Sequence, residues 1–546
     1  MHPGGATQRK GGNMVGIKQG VRHAGNWRLR VVIPWTLAVG ALLALATGAT
    51  TASAASSSTP VSGGSITVME TSTFLGAWPA GLYPPTDTSD AADFPYMDAI
   101  YGDLIEMGPG GVLMPDLAKS WTVSKNAETI TIHLRPGLKF SDGTPLNSQA
   151  VKTNWDADVT GDACACASSF PFASIATPNA TTVVAHLTKP YSPFLDDLPQ
   201  NALNWMYSPT AEASMGATAF ADTPVGAGPF KVQSDVLSSK LTLVKNPGYW
   251  EPGHPYLAGL TFEAIGNDTS AVDAIQSGQA QVENYFATYP SLASTKAAGL
   301  RVEKVPAPVT YDIQLNTAHA PFDNVKAREA LIYASDMKPI MKSLTAGTGN
   351  VTESPSSPGS VVYEPTVAGY PSYNPTKAKA LISQIGGLSM TLYTSSAPTQ
   401  LEASEALQSE WQAVGIQVQL VQMSTLQAIL NAFTTNSYDA IVQGIGGITP
   451  FLNNGGSLLW RVVSKGPFSS VSDPHLDALI NKVEATVAPA ANATALKAVY
   501  SYMAKKAYIL YEFGAPDFTI STKSVHGPGV DTLQPFPFWE DVWVAK

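Results

Sequence analysis

Cysteine is almost missing from this chain, which has only Cys164 and Cys166 among its 546 residues. A metal site would need further Cys or His ligands at coordinating spacing, and no such ligands stand near the pair. The sequence therefore predicts neither a metal site nor a cofactor. In an oxidising compartment the two thiols can form a disulfide, although a ring between residues i and i+2 is strained. Two free thiols in a loop are the alternative.

Charged residues are also scarce, at 14% of the chain, and the formal net charge is −10. An acidic protein is a poor partner for the phosphate backbone of nucleic acids and for anionic membrane surfaces. We therefore expect no nucleic-acid partner. The simplest role of the excess negative charge is solubility.

The apolar stretch from Val31 to Ala46 is shorter than the ~20 residues that a transmembrane helix needs. The first 54 positions contain six basic residues and no acidic residue, and Ala52-Ser53-Ala54 follows the apolar stretch. This combination predicts a signal peptide over residues 1–54, and an uncleaved anchor is the alternative. No Cys follows the stretch, so we expect an exported protein, periplasmic or extracellular and associated with the cell envelope, without an evident lipoprotein anchor.

The common motifs of hydrolases and nucleotide-binding enzymes are missing. The chain contains no G-x-S-x-G, no H-E-x-x-H and no G-x-x-x-x-G-K-[ST]. Ser335 to Lys338 matches S-x-x-K, but its companion motifs S-D-N and K-T-G are absent, so an ordinary core helix is the better interpretation. Gly226 to Lys231 fails the dinucleotide pattern, because Pro229 intervenes and Lys231 replaces the third glycine. The sequence therefore predicts a protein that is not an enzyme.

Alternating strand and helix patterns fill the later part of the chain. Three apolar strand patterns alternate with two helix patterns: Met390 to Tyr393, Leu401 to Ala413, Ile416 to Val421, Thr425 to Phe433 and Tyr438 to Gln443. This β-α-β-α-β order predicts a mainly parallel sheet covered by helices. Asn374 and Pro375 predict the start of an earlier helix. A further helix is expected from Leu496 to Tyr511.

The segment from Ala118 to Ala150 carries the most specific pattern. Ile130, Ile132 and Leu134 alternate with polar residues, which predicts a half-buried strand. Two turns follow, and Asn147 is placed to cap a helix.

This segment resembles the signature of the family 5 extracellular solute-binding proteins, which are the peptide, nickel and sugar receptors of ABC importers. Its residues follow the family order A-x-S-W, a strand, L-R-x-G-x-K-F-x-D-G-x-P-L and a helix. Further segments resemble the family at its own spacing: Gly226 to Lys231, Lys245 to Trp250, Tyr311 to Asn316, Pro321 to Asp323, Arg328 to Ala334 and Asn374 to Leu381.

The resemblance implies an α/β fold, the two-lobed type II periplasmic-binding-protein clamshell with an extra subdomain in the first lobe. Such a receptor captures a small-molecule ligand, a peptide, sugar or amino-acid derivative, and presents it to the transmembrane subunits of an ABC permease. We expect a monomer. The expected division is a signal peptide (1–54), a linker (55–65), a lobe I core (66–85, 223–308 and 515–546), an extra subdomain (86–222) and lobe II (309–514).

In a clamshell the ligand lies between the lobes, against loops at the carboxyl ends of strands. Three loops qualify. The first offers Phe74, Trp78 and Tyr83 as apolar walls, although Trp78 is equally expected to pack under its own loop. The second begins a helix at Asn267, where backbone N–H groups can hold a negative group.

The third loop follows the strand that ends near Gln443. Peptide-binding relatives have G-W-x-x-D here, and the Asp holds the peptide's ammonium group. In this chain Gly444 is followed by Ile445 in place of Trp, and Ile448 replaces the Asp. A buried ammonium without a counter-ion costs several kcal/mol, so ordinary di- to pentapeptides are expected to bind weakly. The remaining candidate contacts, which suit a neutral or anionic ligand, are Phe451, Asn453, Asn454, Trp460 and Arg461.

Two other functional classes fit the sequence. One is an exported hydrolase on a borrowed binding fold, which turnover of any substrate would reveal. The other is a stand-alone sensor or chaperone-like binder that passes nothing to a permease.

Overall fold

A computed structural model describes residues 59–71, 82–86, 90–108, 112–161, 167–286, 289–356, 362–395, 398–423, 426–445, 461–466, 468–530 and 537–545. The predicted signal peptide and the pair Cys164 and Cys166 lie outside these ranges. Within them, no helix combines the length and the hydrophobicity that crossing a membrane requires.

The described residues form mixed α/β structure. The strands are β1 (Ser65–Thr71), β2 (Ile105–Met107), β3 (Leu113–Pro115), β4 (Ala118–Val123), β5 (Thr129–Leu134), β6 (Phe172–Asn179), β7 (Thr182–Leu187), β8 (Phe230–Val236), β9 (Lys240–Lys245), β10 (Gly259–Ile265), β11 (Val282–Phe286), β12 (Arg301–Leu315), β13 (Asn350–Val351), β14 (Leu388–Ser395), β15 (Ile416–Met423), β16 (Ala440–Ile445), β17 (Ile509–Ser521), β18 (Val525–His526) and β19 (Trp543–Val544). The α-helices are α1 (Asp90–Tyr101), α2 (Ser148–Gly161), α3 (Phe194–Asp197), α4 (Pro209–Met215), α5 (Ala217–Asp222), α6 (Asp268–Gln276), α7 (Leu292–Ala297), α8 (Val325–Tyr333), α9 (Met337–Leu344), α10 (Pro375–Ile385), α11 (Pro398–Ala413), α12 (Leu426–Thr434), α13 (Pro474–Glu484) and α14 (Pro489–Lys506).

An eleven-stranded sheet runs through the molecule in the order β15-β14-β16-β12-β17-β11-β1-β10-β9-β8, and β13 pairs with β17. One half contains the parallel strands β1, β10 and β11, and the other half contains the parallel strands β14, β15 and β16. Between the halves lie the two long antiparallel strands β12 and β17. We call β12 and β17 the crossing strands, because both halves of the sheet share them.

A separate antiparallel sheet, in the order β4-β5-β7-β6, contains the most specific sequence pattern. Ile130, Ile132 and Leu134 are fully buried, so the predicted alternation is confirmed. Asn147 Oδ1 accepts hydrogen bonds from the backbone N–H groups of Gln149 and Ala150, at 3.0 and 3.1 Å, which confirms the predicted cap of α2. The core of this sheet therefore forms from residues that are close in sequence.

The β-α-β-α-β prediction is confirmed by β14, α11, β15, α12 and β16, whose three strands are parallel. Upstream, Asn374 Oδ1 accepts the N–H of Lys377 at 2.9 Å and caps α10, as predicted. Gly386 ends that helix with φ of 82°, a left-handed conformation that costs glycine little.

The predicted helix from Leu496 to Tyr511 is wrong at its end. The helix α14 stops at Lys506, Ala507 takes a left-handed φ of 51°, and Ile509 to Tyr511 begin β17 instead. Nearly all of β17 is buried, alternate residues facing opposite sides of the sheet. A strand that is buried on both faces reads as a continuous apolar run, which periodicity cannot distinguish from a buried helix.

Candidate functional site

The carboxyl ends of the six parallel strands point towards the middle of the molecule, where β16 pairs with β12 and β11 pairs with β17. In one half, β16 runs from Ala440 opposite Leu315 to Ile445 opposite Thr310, and β14 and β15 run in the same direction. In the other half, β11 runs from Val282 opposite Ser521 towards Phe286 opposite Phe518, and β1 and β10 run parallel to it. Ligands of open α/β sheets bind at such carboxyl ends. The candidate site therefore lies where the two sets of strand ends face each other.

A buried ion pair marks the β16 side of this position. Arg461 donates to both carboxylate oxygens of Asp312, at 3.1 and 3.2 Å, and its Nε donates to Gln314 Oε1 at 2.9 Å. The Asp312 side chain is completely buried and that of Arg461 is 9% exposed. Burial raises the pKa of Asp312 to about 6, although Arg461 opposes the shift. The pair ties Arg461 to β12.

Two polar side chains beside this ion pair have unused hydrogen-bonding atoms. Glu512 is completely buried and Thr310 is 1% exposed. Neither oxygen of the Glu512 carboxyl group, nor Thr310 Oγ1, has a hydrogen-bond partner within the described ranges. Glu512 lies in an irregularity of the ladder, between the pairs Thr310–Gly514 and Asp312–Tyr511. Burial and the neighbouring Asp312 raise the pKa of Glu512 to about 8.

The opposite half presents a second group of buried polar side chains near its strand ends. Glu70 on β1 is 6% exposed and Asn284 on β11 is 3% exposed. Glu70 Oε1 and both polar atoms of the Asn284 amide have no hydrogen-bond partner in the part of the chain that is described. Burial raises the pKa of Glu70 to about 8. Buried polar atoms in native proteins are normally satisfied, and an exception calls for a missing water, ion or ligand.

Carboxyl groups also surround the start of α6. Burial and the neighbouring Asp268 raise the pKa of Glu283 to about 10, and the same two causes raise the pKa of Asp517 to about 8. Asn267 Oδ1 accepts the N–H of Ser270 at 2.9 Å and so caps its own helix. An anion at this helix start would lie close to the carboxyl groups of Asp268, Glu283 and Asp517. These groups argue against the predicted binding of a negative ligand group here.

The other predicted ligand-binding residues are a buried tyrosine, the last two residues of β16 and a group outside the described ranges. Tyr83 is 8% exposed, its hydroxyl donates to Glu212 Oε1 at 3.3 Å, and its ring packs against Tyr207 and Phe220. Gly444 and Ile445 end β16, opposite Tyr311 and Thr310 of β12. The residues outside the described ranges, for which the binding role stays a prediction, are Phe74, Trp78, Ile448, Phe451, Asn453, Asn454 and Trp460.

Sequence reasoning missed Asp312, Glu512, Glu70 and Asn284. The only available signal was an acidic or amide residue inside an apolar strand pattern, because each of the four interrupts a run of strand-forming residues. Such an interruption predicts a polar group in the core and therefore a partner that must be found elsewhere.

Ser335 in the S-x-x-K segment has an ordinary structural role. Its hydroxyl donates to the carbonyl of Leu331 at 2.8 Å and accepts the indole N–H of Trp411 at 2.9 Å. Ser335 is 7% exposed. Ser335 lies in the short link between α8 and α9 rather than within a helix, so the predicted helical placement is wrong at this residue. Its contacts hold α8 against α11 and occupy the hydroxyl group, which agrees with a structural role.

The sequence profile of the bacterial extracellular solute-binding proteins, family 5, matches residues 112–466. The chain belongs to this family. Among its relatives, the glutathione-binding protein GsiB of Shigella flexneri is 31% identical over 355 residues, which span 63% of this chain and 67% of that protein.

Solved structures share the fold of this family 5 protein. The periplasmic binding protein DppA of Helicobacter pylori, in complex with the peptide STSA, has a TM-score of 0.75 at 20% identity and covers 89% of this chain and 99% of its own. The binding protein AgaA of A. tumefaciens R10, in complex with agropinic acid, has a TM-score of 0.74 at 24% identity and covers 88% and 99%. The predicted type II periplasmic-binding-protein fold is confirmed.

The family 5 protein is therefore a solute-binding protein of ABC importers, as the sequence predicted. The similar proteins are binding proteins rather than enzymes, and members of the family are periplasmic or extracellular. The findings give no support to a hydrolase or to a stand-alone sensor.

Proposed function

We propose that this protein is an exported, monomeric receptor that captures a small amino compound other than an ordinary peptide and delivers it, chemically unchanged, to the transmembrane subunits of an ABC permease. The observation that carries the proposal is the concentration of unpartnered buried polar atoms where the two sets of strand ends meet. A ligand that bonded to Glu70 or Asn284 on one side and to Thr310 or Glu512 on the other would favour the closed form, because contacts on both halves are made only there.

The ligand class follows from the charges at the site. The loop after β16 supplies no carboxylate, so the usual grip on a peptide's ammonium group is missing. Its cation Arg461 is already paired with Asp312, which removes the most evident anchor for an anionic group. Acidic and amide side chains remain, and these suit a ligand rich in N–H and O–H donors.

A thermal-shift panel tests the proposal. It contains reduced glutathione, agropinic acid, an amino sugar, a neutral sugar and ordinary di- to pentapeptides. We expect stabilisation by an amino compound, of about 2.7 kcal/mol at a concentration one hundred times its Kd, and little effect of ordinary peptides. The bound compound should be recovered unchanged by mass spectrometry. Submicromolar binding of ordinary peptides, or turnover of the ligand, would contradict the proposal.

We propose lobe boundaries at the crossing strands, with residues 309–514 as lobe II and residues 86–222 as a subdomain of lobe I. A set of contacts then joins that subdomain to lobe II. Lys189 Nζ lies 2.7 Å from Glu484 Oε2, and the backbone N–H of Ser192 donates to the Glu484 carbonyl at 2.7 Å. The hydroxyl of Ser192 donates to the Val483 carbonyl at 3.0 Å. We call these contacts, made by Lys189 and Ser192 with the end of α13, the latch.

The latch should hold the ligand-free protein partly closed. Replacing Glu484 with Gln removes the ion pair but keeps the side-chain volume, so we expect a larger radius of gyration in small-angle scattering without ligand. Lys152→Met, which breaks the exposed Lys152–Asp156 pair within α2, is the control and should leave the scattering unchanged. Identical curves for Glu484→Gln and the unmodified protein would show that the ion pair of the latch does not influence closure.

A further inference from the structure

The acid that is missing from the loop after β16 has a counterpart on β17, which is separated from β16 by β12. Glu512 lies on β17, and the loop leaves β16 at Ile445, opposite Thr310, and is followed by Arg461, which binds Asp312. Both described ends of the loop are therefore fixed to the two β12 residues that flank Glu512 in the ladder. Glu512 therefore lies near the carboxyl end of β16, where the loop begins, but it belongs to a crossing strand and not to the loop.

The Glu512 carboxyl group differs from the buried carboxyl group of Asp312 on the other crossing strand. Asp312 is neutralised by Arg461, whereas Glu512 has no cation and no hydrogen-bond donor within the described ranges. Burying an ionisable group without a partner costs several kcal/mol. A structural carboxyl group would be expected to find a donor, as Asp116 does from Trp250 Nε1 at 3.0 Å.

The hydroxyl group of Thr310 is a second unsatisfied polar group at the same place, and it is uncharged. It is buried and has no partner in the described part of the chain, although a rotating hydroxyl group normally finds one. Thr310 pairs with Gly514, so no side chain from that position of β17 covers it. A carboxyl group and a hydroxyl group, both unsatisfied and both buried, thus lie on adjacent strands at the carboxyl ends of β14, β15 and β16.

We infer that Glu512 and Thr310 form a subsite for a cationic N–H group of the ligand, such as a primary ammonium. The ammonium would donate to the Glu512 carboxylate and to Thr310 Oγ1, which gives both groups the partners that they lack. The inference rests on the proposed function and narrows its ligand to a compound whose positive group reaches the crossing strands. Glu512 would then select ligands that carry a positive group. Peptide-binding relatives hold the ammonium group with an Asp of the loop, whereas Glu512 lies on a crossing strand.

The test uses the full-length mature protein and pairs of probes that differ in one charge. The pairs are reduced glutathione and N-acetylglutathione, and glucosamine and N-acetylglucosamine, each titrated by calorimetry. We expect at least one free amine to bind, and its acetylated counterpart to bind at least tenfold more weakly. Glu512→Gln should weaken the binding of that amine by about tenfold to a hundredfold, the range for a lost hydrogen bond to a charged group.

Glu106→Gln is the matched control, because Glu106 is also a buried glutamate but lies on β2, in a part of the fold remote from the crossing strands. Its affinity for the probe should stay within threefold of the unmodified protein. Thr310→Val, which is close in shape, should weaken binding about threefold to tenfold, as expected for a hydrogen bond to a neutral group. Circular dichroism of each variant checks that it is folded.

The outcomes separate the two proposals. Equal affinity of Glu512→Gln and the unmodified protein for the amine would overturn the subsite and leave the proposed function intact. Equal affinity for free and acetylated probes would likewise overturn the subsite. Binding of neutral compounds alone would overturn both proposals, because the proposed function names an amino compound. If no compound of either panel binds, both proposals fail, since neither a solute nor a cation would have been captured.

Discussion

Replacement of Arg461 by Met is expected to lower the free energy of unfolding by about 3–5 kcal/mol. The guanidinium group holds both oxygens of Asp312, at 3.1 and 3.2 Å, and Asp312 is completely buried. Removal of the cation leaves an uncompensated carboxylate beside Glu512, which carries a second carboxyl group. The change is measured by urea denaturation at pH 7, where Asp312 is ionised in the unfolded chain.

The double variant Asp312→Asn/Arg461→Met should recover most of the loss, because no buried charge is then left alone. Lys152→Met, in an exposed helical pair with an Nζ–Oδ2 distance of 2.7 Å, should change stability by no more than about 0.5 kcal/mol. Equal destabilisation by Arg461→Met and Lys152→Met would mean that the Asp312–Arg461 pair is effectively solvated.

Stability is expected to fall as the pH rises from about 4 to about 7, in contrast to many proteins that are most stable near neutrality. Five carboxyl groups lie together on or near α1, β2 and the C-terminal segment: Asp98, Asp103, Glu106, Asp116 and Glu540. Burial raises the pKa of Asp98 and of Asp116 to about 7 each, and burial and neighbouring acids hold the pKa of the other three well above its usual range.

The direction follows from proton binding. With raised folded-state pKa values, the folded protein keeps protons that the unfolded chain releases above about pH 4, so each further increase in pH favours unfolding. The stabilisation is complete below the unfolded pKa and is lost as the pH passes the folded pKa. One carboxyl group whose pKa rises from 3.8 to about 7 accounts for roughly 4 kcal/mol of this loss.

Thermal denaturation between pH 4 and pH 8 measures the effect. Glu540→Gln should flatten the profile and raise the midpoint near pH 8, because it removes one of the acids that disfavour ionisation of its neighbours. Asp156→Asn, at an exposed position of α2, should preserve the slope. A midpoint that increases with pH over this range would show that these carboxyl groups are ionised in the folded protein.

Local patterns predicted most of the fold, and they did so wherever one face of an element meets water. Ile130, Ile132 and Leu134 alternate with polar neighbours, and Asn147 and Asn374 are capping residues at helix starts, so short-range chemistry decides these elements. The pattern fails at Ile509 to Tyr511, because β17 is covered on both sides and its residues carry no period.

The site was harder to predict, since its groups are far apart in the sequence. The sequence predicts Arg461 as a ligand contact from its place in the loop, but nothing near it indicates that Asp312, far upstream, holds its guanidinium group. Glu512 directly follows the helix predicted from Leu496 to Tyr511, and the sequence assigns it no function. Only the pairing of β12 with β17 brings Thr310, Asp312 and Glu512 together. The roles of Phe451, Asn453, Asn454 and Trp460 stay predictions.

The position of β17 in the chain has a consequence for biosynthesis. The strand lies between β12 and β11 in the middle of the large sheet, yet it is among the last elements to leave the ribosome. Until residue 521 has been made, the two halves of the sheet have no shared edge on which to join, and the nascent polypeptide cannot complete its core. This order of synthesis suits the proposed export, because a precursor that folds late can still pass through a channel that accepts only unfolded chains.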